Sequence, residues 1–213
     1  VVYCLDRAGI TGDDGASHHG VLDMVLLSKV AGMTMFAPSS YQELQVQLHD
    51  ALDLCDGPVS LRWPKTPAPV VEESEVGRGL AGRKAREGTD VCLIGVGKMF
   101  ATCLEAADLL AADGISATVW DPRVIKPLDP ALLDDAAGFD VVVTAEDGLR
   151  EGGIGDAIAH EVAARTLGTG RNPRVEVLGV PVAYLPHGKP DAILADLGLD
   201  ASGIAASALA ALA

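Results

Sequence analysis

Short apolar runs alternate with longer amphipathic stretches along most of the chain. VVYCL at the start reads as a buried strand of a parallel sheet. It ends in Asp6-Arg7 and opens a glycine-rich loop, AGITGDDGASHHG. VLDMVLLSKVAG follows with helical periodicity and a glycine stop, and MTMFAP is a short strand closed by Pro38. Ser39-Ser40 cap a helix over YQELQVQLHDALDLC, with Glu43 placed for a capping box. The turn Asp56-Gly57-Pro58 leads into the strand VSLRW, stopped by Pro64. From Thr66 to about Gly88 the chain carries Pro, Gly and both charge signs, which reads as a linker with one short strand at its end. A second unit then runs DVCLIGVG (strand), MFATCLEAADLLAADG (helix), ISATVWDPR (strand), DPALLDDAAG (short helix), DVVVTAED (strand), GIGDAIAHEVAARTLG (helix) and RVEVLGVP (strand), with a helical end. Strand–helix alternation with short turns predicts an α/β protein of two parallel-sheet units with helices on the sheet faces. The units are expected at 1–69 and 89–213, joined by a linker at 70–88.

Composition narrows the picture. Of 213 residues 49% are apolar and only 4% aromatic, so Val, Leu, Ile and Ala must fill the core. The net charge of −14 repels nucleic acid and anionic membrane surfaces at long range. A small anionic substrate remains open if a few cations are focused in one cleft. No stretch of about 18 uninterrupted apolar residues would span a bilayer, and the start lacks the basic region of a signal peptide. Cys4, Cys55, Cys92 and Cys103 show no CxxC spacing and read as four buried cytosolic thiols, ahead of a metal site or disulfides. The chain opens inside an apolar run without Met, so a fragment whose neighbouring strands lie upstream is expected.

The chemistry gathers at strand ends. Ligands of open α/β sheets meet the loops that leave the carboxyl ends of strands. One strand ends in Asp6-Arg7 and the loop holding Asp13, Asp14, His18 and His19; another ends in Arg62-Trp63-Pro64-Lys65. If the two are parallel, Arg7, Arg62 and Lys65 converge near Asp14 and His18. Each has a plainer alternative. Asp6-Arg7 can be a surface ion pair, Asp13-Asp14-Gly15 a turn, and Arg62 and Lys65 solvated. Zinc at the two histidines lacks a third ligand at a useful spacing. GVGK at Gly95 to Lys98 fails the dinucleotide fingerprint at Ala101-Thr102. EGGIGDAI reads as close packing before a helix start, with anion binding as the alternative. Arg123 and Lys126 read as interdomain contacts.

Taken together and in order, DRAGITGDDGASHHGVLD, APSSYQEL, GPVSLRWPK, VWDPRVIKPLD, AEDGLREGGIGDAI and LGVPVAYLPHGKPDAILADLGLD resemble the 1-deoxy-D-xylulose-5-phosphate synthase family, thiamine-diphosphate enzymes of the transketolase superfamily. The resemblance covers essentially the whole chain. It implies that 1–69 is the C-terminal part of the pyrimidine-binding domain and 89–213 the transketolase C-terminal domain, structural and dimer-forming. It implies partners: the N-terminal remainder of the same enzyme, a homodimer mate, pyruvate and glyceraldehyde 3-phosphate, with no nucleic acid and no membrane, in the cytoplasm. Thiamine diphosphate and Mg2+ are the implied cofactors, with their main ligands upstream of Val1 and no metal ligand in this chain. By motif position, His18 and Asp14 correspond to catalytic residues of the acceptor pocket, Asp14 orienting His18 or holding an acceptor hydroxyl. Arg7, Lys65 and Arg62 correspond to the acceptor-phosphate anchor. Trp63 stands where the family usually has Tyr, and Lys65 where it has Arg; lysine is a point charge without a bidentate fork. Alternatives are a transketolase, the β subunit of a 2-oxoacid dehydrogenase, or a non-catalytic interaction domain keeping the fold. The isolated 213-residue piece is expected to be inactive.

Overall fold

The computed structural model describes residues 1–213. In chain order the elements are β1 (Val2–Leu5), α1 (Asp23–Leu27), β2 (Thr34–Phe36), α2 (Tyr41–Asp53), β3 (Val59–Arg62), β4 (Arg83–Arg86), β5 (Val91–Gly95), α3 (Met99–Ala112), β6 (Ala117–Asp121), β7 (Val124–Lys126), α4 (Pro130–Ala136), β8 (Val141–Leu149), α5 (Ile154–Thr166), β9 (Arg174–Val180), α6 (Pro190–Asp196) and α7 (Ala201–Leu212). One sheet orders β1-β3-β2-β7 and the other β4-β6-β5-β8-β9. The inner pairings are parallel, as expected. Each sheet also carries an antiparallel edge strand, β7 on β2 and β4 on β6, which periodicity did not reveal. ISATVWDPR holds one strand, β6, as expected, and it stays in the second sheet; β7 follows directly after that stretch and crosses to finish the first.

Two other expectations fail for identifiable reasons. The first strand is half exposed rather than buried, because β1 is a sheet edge with only β3 beside it. The apolar run after the glycine loop gives only the short α1. Beyond it, the Ser28 and Val30 carbonyls accept hydrogen bonds from Lys126 Nζ, at 2.7 and 2.6 Å, instead of from a continuing helix. The cysteines also differ from expectation: Cys4 is exposed and Cys55 half-buried, and only Cys92 and Cys103 lie in the core. Burial pushes the Cys103 thiol up to about 12 and the Cys92 thiol higher still.

The two units share one core. Met24, Met33, Met35 and Ala37 of the first pack with Cys92, Ile94, Trp120, Val142, Ile154 and Ile158 of the second. A larger cluster on the other side of the second sheet joins α3 and α7 to β5, β6 and β8 through Leu93, Leu110, Val119, Val143 and Ile204. The stretch Pro190–Leu212 has the length and mean hydropathy, 1.4, of a membrane span. Here it is two helices broken at Leu197 to Asp200, with Asp200 capping α7 and Ile193, Leu194, Ile204 and Ala208 buried.

Buried polar contacts also stitch the units together. Ser40 caps α2 by accepting from the Glu43 amide, but the second half of the capping box is absent. The Glu43 carboxylate turns inward, accepting from Gly77 N–H, Gln47 and Arg123. Arg123 and Lys126 do bridge the two units, as their sequence position indicated. Nearby, Ser39 Oγ donates to Asp121 at 2.5 Å. Burial pushes Asp121 up to about 7; the Ser39 hydrogen bond opposes this and the Glu43 charge adds to it. Because the folded-state pKa is raised, the stability this group contributes is complete below about pH 4, its unfolded value, and is lost as pH rises toward 7. Glu146, pushed up to about 7 by burial, acts in the same direction. The denaturation midpoint is expected to fall between about pH 4 and 7, and Asp121→Asn to flatten that fall. Urea titrations of both proteins across that range check it; parallel pH profiles would reject it.

Candidate functional site

The first sheet brings the two strand ends together. Leu5 pairs with Arg62 in parallel register, so the residues after each leave the same rim. The loop after β1 turns at once: Arg7 is left-handed, φ 55, a conformation unusual for a residue with a Cβ. Ala8 N–H then donates to the Trp63 carbonyl at 2.9 Å, locking the first loop onto the second. Gly9 and Gly20 exchange two backbone hydrogen bonds at 2.8 Å. They close the loop into a ring whose far side carries Asp14 and His18.

Arg7, Lys65 and Asp14 meet at this rim. Lys65 Nζ donates to Asp14 Oδ1 at 2.7 Å, and Arg7 Nε lies 3.7 Å from Asp14 Oδ2. The Lys65 hydrogen bond above all, with the charges of Lys65, Arg7 and His18, holds the Asp14 carboxyl below its usual range against the opposing effect of burial. His18 ends the 3₁₀ turn that follows the one carrying Asp14, and it is exposed. Its Nδ1 faces Ser17 Oγ at 3.2 Å. Asp14 does not orient His18, since both its oxygens face the two cations. Asp6 also takes a hydrogen bond from Arg7, at 3.2 Å, so the plain surface pair exists beside the cluster. One cleft, of about 260 Å³, meets the rim at Lys65 and is walled by Tyr41, Trp63 and Pro64. Another, of about 440 Å³ and mostly apolar, meets it at Ser17 and His19.

Arg62 does not join them. Its side chain is only 4% exposed. Nε donates to Asp23 and Nη1 to Asp147, both at 2.7 Å. Burial works against its charge, but Asp147 and Asp23 more than offset that and keep the guanidinium protonated. A cation enclosed by two carboxylates is not available to a phosphate at the rim. The expected grouping of Arg62 with Arg7 and Lys65 is corrected here; in the parallel β3 strand its side chain points into the protein, and Lys65, beyond Pro64, points out.

Sequence reasoning also missed Asp147, Glu146 and Asp23. Asp147 and Glu146 lie in the last part of β8 in the second unit, and nothing local marks them as partners of β3. The glycines of EGGIGDAI do not form an anion site: the Glu146 carboxylate already accepts the Ile154 and Gly155 amides at the start of α5. His19 accepts the Thr11 amide at Nδ1, 3.1 Å, so its proton sits on Nε2. No group of three or more His, Cys, Asp or Glu side chains is arranged to hold a metal ion.

Comparison with known proteins gives these features a context. Residues 81–204 match the transketolase C-terminal domain model, and residues 1–70 the transketolase pyrimidine-binding domain model. The 1-deoxy-D-xylulose-5-phosphate synthase of Thermobifida fusca is 42% identical over 96% of this chain and 32% of its own length. The enzyme of that name from Magnetococcus marinus is 38% identical over 96% of this chain and 33% of its own length. The chain thus spans about a third of the curated relatives it matches. Among solved structures, a split-gene transketolase described as an inactive tetramer is 32% identical with a TM-score of 0.87, over all of this chain and 67% of that one. A mutant transketolase from Pichia stipitis, 15% identical with a TM-score of 0.75 over 99% of this chain and 30% of that one, shares the fold.

Proposed function

The chain belongs to the transketolase family, and from that we propose that it is the acceptor-binding part of a thiamine-diphosphate-dependent synthase that joins pyruvate to glyceraldehyde 3-phosphate, giving 1-deoxy-D-xylulose 5-phosphate and CO2. The observation that carries this reading is the meeting of Arg7, Lys65 and Asp14 at one rim with His18 beside them. The names of the curated relatives support the reaction.

Arg7 and Lys65 bind the acceptor phosphate, in competition with Asp14. Lys65 contributes charge but one contact at a time. Asp14, displaced from the cations, accepts from an acceptor hydroxyl. His18 donates a hydrogen bond to the aldehyde oxygen and gives it a proton as that oxygen becomes an alkoxide. Thiamine diphosphate, when bound, supplies the nucleophilic two-carbon unit of pyruvate. With no acidic cluster in this chain to hold Mg2+, we take the ligands of metal and diphosphate from the rest of the enzyme. We take the enzyme to be a cytoplasmic homodimer, the four unpaired cysteines supporting a reducing compartment.

The test is substrate choice by the complete enzyme containing this chain. Release of CO2 from pyruvate coupled to consumption of glyceraldehyde 3-phosphate is expected. Two-carbon transfer from a ketose phosphate, without use of pyruvate, would instead identify a transketolase and overturn the proposal.

A further inference from the structure

The buried guanidinium that dropped out of the phosphate anchor is placed to do something else. Arg62 ends β3, Asp23 begins α1 of the same unit, and Asp147 lies in β8 of the second unit. The two 2.7 Å ion pairs therefore join the first sheet, the segment that follows the glycine loop and the second domain through one side chain. Exposure is 4% for Arg62, 1% for Asp147 and 14% for Asp23, so solvent screens these pairs weakly.

The same Asp147 touches the loop directly. Gly9, left-handed at φ 74, packs its Cα against the Asp147 carboxylate so closely that any Cβ there would overlap it. Gly9 is also the base of the loop ring, paired to Gly20 in both directions. Two residues further on, where the strand ends, Leu149 N–H donates to the Val21 carbonyl at 2.9 Å. Thus β8 holds the outgoing end of the loop at Val21 and its base at Gly9, and Arg62 fixes where Asp147 stands.

We infer that Arg62 is a positioning residue: clamped between Asp23 and Asp147, it sets the loop carrying Asp14 and His18 against the second domain. The second domain thereby shapes the acceptor site rather than serving only as scaffold and dimer surface. For the reaction, this inference rests on the function proposed above; for the loop, it stands on the contacts alone.

The experiment uses Arg62→Lys and Asp147→Asn in the complete enzyme, with two readouts. The first is amide hydrogen exchange of Gly9 and Gly20, compared with core amides of β5. The second is the kinetic split between the two substrates. Faster exchange at Gly9 and Gly20, at least about tenfold, with β5 unchanged is expected in both variants. A several-fold rise in acceptor KM at unchanged pyruvate KM should accompany it. Unchanged loop exchange, or exchange raised equally in loop and β5, would overturn the inference, the latter because the clamp would then serve general stability only. Loop exchange raised without any change in acceptor KM would leave the clamp intact and count against the proposed acceptor site instead.

Discussion

Replacing Arg123 by Met is expected to destabilise the protein by about 3–5 kcal/mol, the range for removing one partner of a buried ion pair. Arg123 is fully buried and donates to Glu43 at 2.8 Å and to the Gly79 and Ala81 carbonyls at 3.2 and 2.7 Å. Its own amide donates to Asp121 at 3.0 Å. Methionine fills similar volume but leaves the Glu43 carboxylate with only neutral donors, Gly77 N–H and the Gln47 amide. It also strands two carbonyls. The backbone at Arg123 is left-handed, φ 58, a conformation that costs of order 1–3 kcal/mol and persists only where its surroundings over-determine it. Those side-chain bonds are what over-determine it. Glu43→Gln should cost about as much: with its oxygen kept on the Gly77 amide, its NH2 turns toward the Arg123 and Gln47 donors and the buried guanidinium loses its counter-charge. A double-mutant cycle read by urea unfolding should return a coupling above about 1 kcal/mol, as groups in one network do. Additive losses, or a loss for Arg123→Met no larger than about 1 kcal/mol on the scale of an ordinary point substitution, would show that the seam between the units rests on apolar packing instead.

That seam marks the limit of what the sequence disclosed. Strand ends, turns and caps are local, and the convergence of Arg7 with Lys65 followed from a single assumption, that two neighbouring strands run parallel. Residues that act across the two units carried no such signal. Glu43 sits where a capping box wants it, yet tertiary contacts claim its side chain. Arg62 and Lys65 are three positions apart with the same charge. Only burial separates the enclosed guanidinium from the exposed ammonium. β7 is three residues just beyond a strand the sequence predicts, and its place in the other sheet depends on long-range pairing with β2. The family resemblance supplied the site's membership by position, and by position alone it counted Arg62 among the anchors.

The second large effect separates binding from chemistry at the rim. In the complete enzyme, His18→Ala is expected to lower kcat by about 10²- to 10⁴-fold, the range for loss of a positioned proton donor. Acceptor KM should change little, because the imidazole is exposed and its side-chain hydrogen-bond partner is Ser17. Arg7→Ala should do the reverse. A charge-assisted hydrogen bond is worth about 1.5–3 kcal/mol, and Arg7 is half exposed, which discounts it through screening. Acceptor KM is then expected to rise about 10- to 100-fold, with pyruvate KM unchanged. The contrast has a physical basis. A phosphate is held in the ground state and in the transition state alike, so its anchor governs KM; an oxygen that becomes an alkoxide needs its proton only as the bond forms. Asp14→Asn adds a control, since it frees both cations from their shared carboxylate. If Asp14 serves only to hold Arg7 and Lys65 in place, inorganic phosphate should compete more strongly in that variant while kcat is kept. If Asp14 also holds an acceptor hydroxyl, kcat falls as well. Steady-state kinetics with both substrates varied distinguish these cases. Equal effects of His18→Ala and Arg7→Ala on kcat and KM would mean that the rim acts as one binding patch with no proton donor in it.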